Sequence, residues 1–93
     1  MNIPYVSKFI QRVRDRASVA ENQRLRKAQL ERDWKDADSR HEVALAEHKT
    51  ACQRYHANPT EENLAAMWRY YERTWELFED VCAIWRKLAN LNH

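Results

Sequence analysis

The stretch Tyr55-His56-Ala57-Asn58-Pro59-Thr60-Glu61-Glu62-Asn63-Leu64 decides the fold. Proline disfavours helical geometry in the residue before it, so any helix arriving from upstream must stop by about residue 57. Asn58 is a strong N-cap, Pro59 suits a first helical position, and Glu61 is placed for the carboxylate of a capping box. The spacing therefore predicts a helix ending near 57 and another starting near 59. So short a connection makes the two antiparallel neighbours.

Apolar periodicity on either side supports this. Downstream, Leu64, Trp68, Tyr71, Trp75, Phe78, Cys82, Trp85 and Ala89 recur in alternating steps of four and three, an unbroken heptad seam. Upstream, the same steps run through Leu30, Trp34, Ala37, His41, Ala44, His48, Ala51 and Tyr55. Folding the chain at the turn pairs Tyr55 with Leu64, Ala51 with Trp68, His48 with Tyr71, Ala44 with Trp75 and His41 with Phe78. Ala37 then meets Cys82, Trp34 meets Trp85, and Leu30 meets Ala89. Two of the interior indoles face alanine, the large-against-small arrangement that fills a core.

The second helix holds more apolar surface than one neighbour can cover. Met67, Val81 and Leu88 flank the seam, and Tyr70, Leu77, Ile84 and Leu91 lie beyond them. Together they span an arc of about 200°, against the roughly 100° stripe that a single packing partner needs. Either a second copy covers the surplus, giving a dimeric four-helix bundle, or the N-terminal segment folds back on it. That segment carries an amphipathic stripe of Ile3, Val6, Phe9, Ile10, Val13, Ala17 and Ala20, and Ser18-Val19-Ala20-Glu21 reads as a capping box where the chain bends or restarts. The fold class is all-α: a long, coiled-coil-like antiparallel hairpin with an N-terminal amphipathic helical extension, completing a bundle by dimerisation or fold-back. The 93 residues form one domain, with a basic extension over 3–26, a first hairpin helix over 27–57 and a second over 59–91.

Composition narrows the function. The chain has no glycine, so it lacks the residue on which phosphate-cradling loops and nucleophile elbows depend. Ser7, Ser18 and Ser39 are its only serines; none lies in a constrained turn, and Ser39 and His41 point in different directions on a helix. No catalytic residue is assigned, and no cofactor. His48, Cys52 and His56 share one helix face at steps of four, as metal ligands can. The residues opposite them, Leu64, Met67 and Tyr71, supply no further zinc ligand, and no metal is assigned. Asp38 precedes His41 by three residues, loosely like a di-iron bundle, but Glu72, Glu76 and Glu79 face outward. Cys52 and Cys82 lie about 22 Å apart in the paired register, too far to bridge. No apolar run approaches the roughly 20 residues of a membrane span, and two cysteines without a secretory signal point to the cytoplasm.

The net charge of +2 conceals an asymmetry. Lys8 and the candidate phosphate contacts Arg12, Arg14, Arg16, Arg24, Arg26 and Lys27 crowd the N-terminal extension, while the rest of the chain is mildly acidic. The basic helix could meet nucleic-acid phosphates, an anionic membrane surface, an acidic groove on a protein, or only solvent.

The layout resembles the helical hairpins typified by the plasmid Rop protein, which dimerise into four-helix bundles and bind paired RNA loops. The resemblance is architectural and covers about residues 28–91; no RNA-contact residue of that class matches a position here. The secreted hairpins with a Trp-x-Gly turn are excluded by the Asn58-Pro59 turn. Arginine in excess of lysine and the Met1 start fit a bacterial or phage accessory protein. The expected function is a non-enzymatic adaptor or inhibitor that binds a larger host protein through Val6, Phe9, Ile10, Val13, Trp68, Tyr70, Leu77, Ile84 and Leu91. The alternative is a nucleic-acid-binding regulator using the basic extension.

Overall fold

The computed structural model describes residues 4–91, with side chains from Val6 onward, so Ile3 of the N-terminal stripe lies outside the described residues. Two helices account for the fold: α1, Pro4–Ala57, and α2, Glu61–Leu91. They form an antiparallel hairpin within an envelope of 86 × 17 × 14 Å. A 54-residue helix is about 81 Å long at 1.5 Å per residue, so α1 alone sets the length of the molecule.

The reversal takes three residues, 58–60. The Asn58 amide donates to Arg54 O at 2.9 Å and closes the last turn of α1. The Thr60 amide and the Asn63 side-chain Nδ2 both donate to Asn58 O, each at 2.8 Å. Thr60 then caps α2: its Oγ1 accepts the Asn63 amide at 3.2 Å, and its carbonyl accepts the Leu64 amide at 3.0 Å. This corrects the expected cap at Asn58 and start near residue 59. Both residues are caps by type, but the chain needs all three positions to turn back at helix-packing distance, so the later one serves. Glu61 and Glu62 then fall in the first turn of α2, where carboxylates offset the helix dipole.

α1 is continuous through Ser18, and every described side chain from Val6 to Lys27 is exposed. Of the two ways offered to cover the surplus apolar surface, fold-back through a bend at Ser18 is therefore absent. Ser18 lies between Ala17 and Val19-Ala20, with no proline or glycine to interrupt the ladder. Local side-chain bonds support the free stretch, Gln11 Nε2 to Asp15 Oδ1 at 3.0 Å and Arg24 to Glu21 at 2.6 Å.

The α1 side of the interface matches the sequence reading. Leu30, Ala37, Ala44 and Ala51 are buried, and Trp34, His41, His48 and Tyr55 between them are half-buried. The α2 side is rotated by one position. The inward face is centred on Met67, Tyr70, Thr74, Leu77, Val81, Ile84, Leu88 and Leu91, with Leu77 the buried one, while Leu64, Cys82 and Ala89 of the expected seam are half-buried beside it. Trp68, Tyr71, Trp75, Phe78 and Trp85, expected in the seam, are 40–60% exposed. One position is about 100° of helix rotation. The alanine stripe leaves a narrow gap that branched aliphatic side chains fill, whereas an indole there also hides its N–H. Trp34 illustrates the cost: its Nε1 is shielded and without a partner, a loss of about 1–3 kcal/mol. Thr74 avoids it by donating its hydroxyl to Tyr70 O at 2.8 Å. Beyond the turn, no side-chain hydrogen bond or ion pair joins α1 to α2 among the described residues, so apolar packing alone closes the hairpin.

Candidate interaction surface

The rotation of α2 assembles a surface from residues that periodicity had assigned to the interior. Trp68, Tyr71, Trp75 and Phe78 form a row of rings along one flank. Successive centroids lie 5.5, 6.3 and 5.8 Å apart, with interplanar angles of 88°, 73° and 88°. Edge-to-face contact of this kind is favourable because the positive ring edge meets the negative face. Two histidines of α1 extend the row across the groove. His48 packs on Tyr71 at 5.7 Å and His41 on Phe78 at 5.6 Å. Those are two of the pairs read from the sequence, so the axial register is as expected although the rotation is not. Leu45 and Thr74 complete the lining of this almost wholly apolar groove.

The structure distributes the expected partner-binding residues over three environments. Val6, Phe9, Ile10 and Val13 are exposed on the free part of α1, and Trp68 is exposed on the aromatic flank. Tyr70, Ile84 and Leu91 are half-buried in the helix–helix interface, and Leu77 is buried there. These last four were expected to be among the most exposed, and their placement is corrected by the same rotation. Sequence reasoning missed Tyr71, Trp75, Phe78 and Trp85 as surface residues. The available signal was their bulk, together with the indole N–H of the two tryptophans, set against an alanine stripe.

Arg12, Arg14, Arg16, Arg24 and Arg26 are exposed along the free stretch of α1, and Lys27 is exposed at its edge, where it lines a depression with Trp85, Leu88 and Ala89 of α2. Among them Arg24 is engaged by Glu21, with Nη2 to Oε1 at 2.6 Å. The hydrogen bond holds the Glu21 carboxyl below its ordinary range and raises the guanidinium of Arg24. Elsewhere on the hairpin, a smaller depression lined by Arg40, Val43, Glu47 and Arg73 is more polar.

His48 Nε2 lies 3.4 Å from Cys52 Sγ, a contact between a ring nitrogen and a thiol. His56 is exposed, and no cluster of three or more metal-ligating side chains occurs among the described residues. Cys52 and Cys82 are free thiols. Among the described residues, no helix is long and apolar enough to cross a membrane. No family model, curated protein or solved structure matches the chain.

Proposed function

We propose that this chain is a non-enzymatic interaction module, a small adaptor or inhibitor that binds a larger protein through its helices in the cytoplasm. The observation that carries the reading is the aromatic flank. Monomeric proteins rarely leave large contiguous apolar patches open, and those that do use them for binding. Trp and Tyr also dominate the energetics of protein interfaces because they bury much area at low entropic cost. Here Trp75 is 51% exposed within an ordered row of rings, already held in one arrangement by its neighbours. A surface organised before binding loses less freedom on association.

The test is capture of a larger protein at fixed stoichiometry by the tagged full chain in extract of its native cell. Trp75→Asp is expected to abolish capture, and Val43→Asp, on the more polar side of α1, to preserve it. Equal capture by wild type and Trp75→Asp refutes the reading.

The basic stretch of α1 favours a second reading, a nucleic-acid-binding regulator. Exposed Arg12, Arg14, Arg16 and Arg26 on the stretch of α1 that runs free of α2, with Lys27 at its edge, are suited to phosphate contact. Such binding would weaken steeply with salt and fall further on reversing Arg12 and Arg16 to Glu. Binding that is indifferent to both excludes it.

A further inference from the structure

We infer that the free N-terminal stretch of α1 is the missing third helix of the aromatic groove, supplied reciprocally between two antiparallel copies of the chain. The inference rests on reading the aromatic flank as a binding surface and names its occupant. A larger protein would then meet the assembled pair.

Surface area comes first. The chain exposes 8171 Å², whereas a compact protein of 11.3 kDa exposes about 5,700 Å². The excess of about 2,400 Å² is roughly three times the 800 Å² that each partner of a standard interface contributes. A second copy can cover it.

Length fixes the arrangement. α2 has 31 residues against the 54 of α1, so about 23 residues of α1 have no helix beside them. Lay two α1 helices antiparallel and coextensive, residue 4 level with residue 57. Each free stretch then runs along the hairpin of the other copy, and three helices stand at every level except the middle, where the two α2 helices overlap and four stand. Slides beyond the overlap of the two α2 helices would leave part of each free stretch unpaired again.

Side-chain size fits this alignment. Stepped back by sevens, the two rows of the α1 seam run through Gln23, Arg16 and Phe9 and through Lys27, Ala20, Val13 and Val6, so the apolar stripe holds at Val6, Phe9, Val13 and Ala20 and is interrupted by Arg16, Gln23 and Lys27. In the coextensive pair Val13 comes level with His48 and Tyr71 of the second copy. Ala17 comes level with Trp75 and Ala20 with Phe78, small residues opposite the two largest projections of the groove.

Charge agrees as well. Residues 1–27 hold seven Lys/Arg and two Asp/Glu, a net +5, and residues 28–93 hold nine and twelve, a net −3. Pairing free stretch with free stretch would set +5 against +5. Pairing free stretch with hairpin sets opposite signs together, which favours this docking over the alternatives.

The experiment uses the full chain. Light scattering at micromolar concentration is expected to give twice the 11.3 kDa chain mass. Val13→Glu is expected to halve that mass with helix content unchanged, because Val13 is exposed in the single chain. Alignment is read by cross-linking. Residue 9 is level with Cys52 of the second copy but about 65 Å from its own Cys52 along the same helix. Phe9→Cys in a Cys82→Ala background, treated with a short bis-maleimide, should yield a covalent dimer joined between positions 9 and 52. A monomeric wild type overturns the inference, as does a chain that assembles only on adding duplex RNA or another protein. A dimer without the 9–52 link overturns it too. A monomeric chain whose capture of a larger protein still depends on Trp75 overturns this inference and leaves the interaction-module reading standing, because in the dimer Ala17 of the second copy lies over Trp75.

Discussion

Replacing Leu77 by alanine tests the rotation of α2 directly. Leu77 is 8% exposed and lies beside Ala44 in the interface. Leu→Ala removes three carbons, and at about 0.8 kcal/mol for each the transfer loss is about 2.4 kcal/mol. Substitutions of this kind cost about 2–5 kcal/mol, the upper values arising where a rigid cavity persists. The depression lined by Arg40, Val43, Glu47 and Arg73 opens next to Leu77, so water and long side chains can fill the space and the cost stays near the lower bound. Equilibrium urea unfolding followed by circular dichroism is the assay, at one protein concentration because any self-association is linked to stability. With a slope of about 1–1.5 kcal/mol/M for a small chain, the midpoint should fall by about 2 M at unchanged slope. Val43→Ala, at a side chain 57% exposed on α1, should stay within about 0.5 kcal/mol of wild type. A Leu77→Ala protein as stable as wild type would refute the placement of Leu77 in the seam, and with it the account of why the tryptophans lie outside.

Ala44 is 3% exposed, the most buried residue of the hairpin, so Ala44→Leu should wedge the helices apart and lower stability by about 1–3 kcal/mol in the same assay. An unchanged midpoint would show that the helices do not approach closely there. Thr60→Ala removes the oxygen that accepts the Asn63 amide and should cost about 1 kcal/mol, whereas Asn58→Ala keeps the carbonyl that takes the turn hydrogen bonds and should cost less. The Glu21 carboxyl should titrate below its ordinary range by NMR, and Arg24→Gln should return it there. Because the folded-state value is the lowered one, the support this pair lends to the free helix is present at neutral pH. It disappears as pH falls through that value, and high salt weakens it.

The placement of the site residues divides along one physical line. Val6, Phe9, Ile10 and Val13 lie on the surface because α2 ends before it reaches them and α1 does not bend back at Ser18, which the sequence had left open. Tyr70, Leu77 and Ile84 could not be separated from Trp75 and Phe78 by pattern. α2 carries two heptad seams one residue apart, both apolar but for Thr74 in the one that turns inward. Periodicity sees two equal solutions.

From the amino-acid order alone follow the all-helical hairpin, its reversal around Asn58 and Pro59, the buried stripe of α1 and the axial register that brings His48 to Tyr71 and His41 to Phe78. Those features depend on local geometry and spacing, which the chain carries in its own sequence. Tertiary structure alone decided which of the two seams of α2 faces inward, that Thr60 rather than Asn58 caps it, and that α1 runs unbroken past its partner. Each of these depends on volume and solvent access between helices. The gap over an alanine stripe admits Leu77, Val81 and Ile84, and leaves the indoles at its edge, where their N–H groups can meet water.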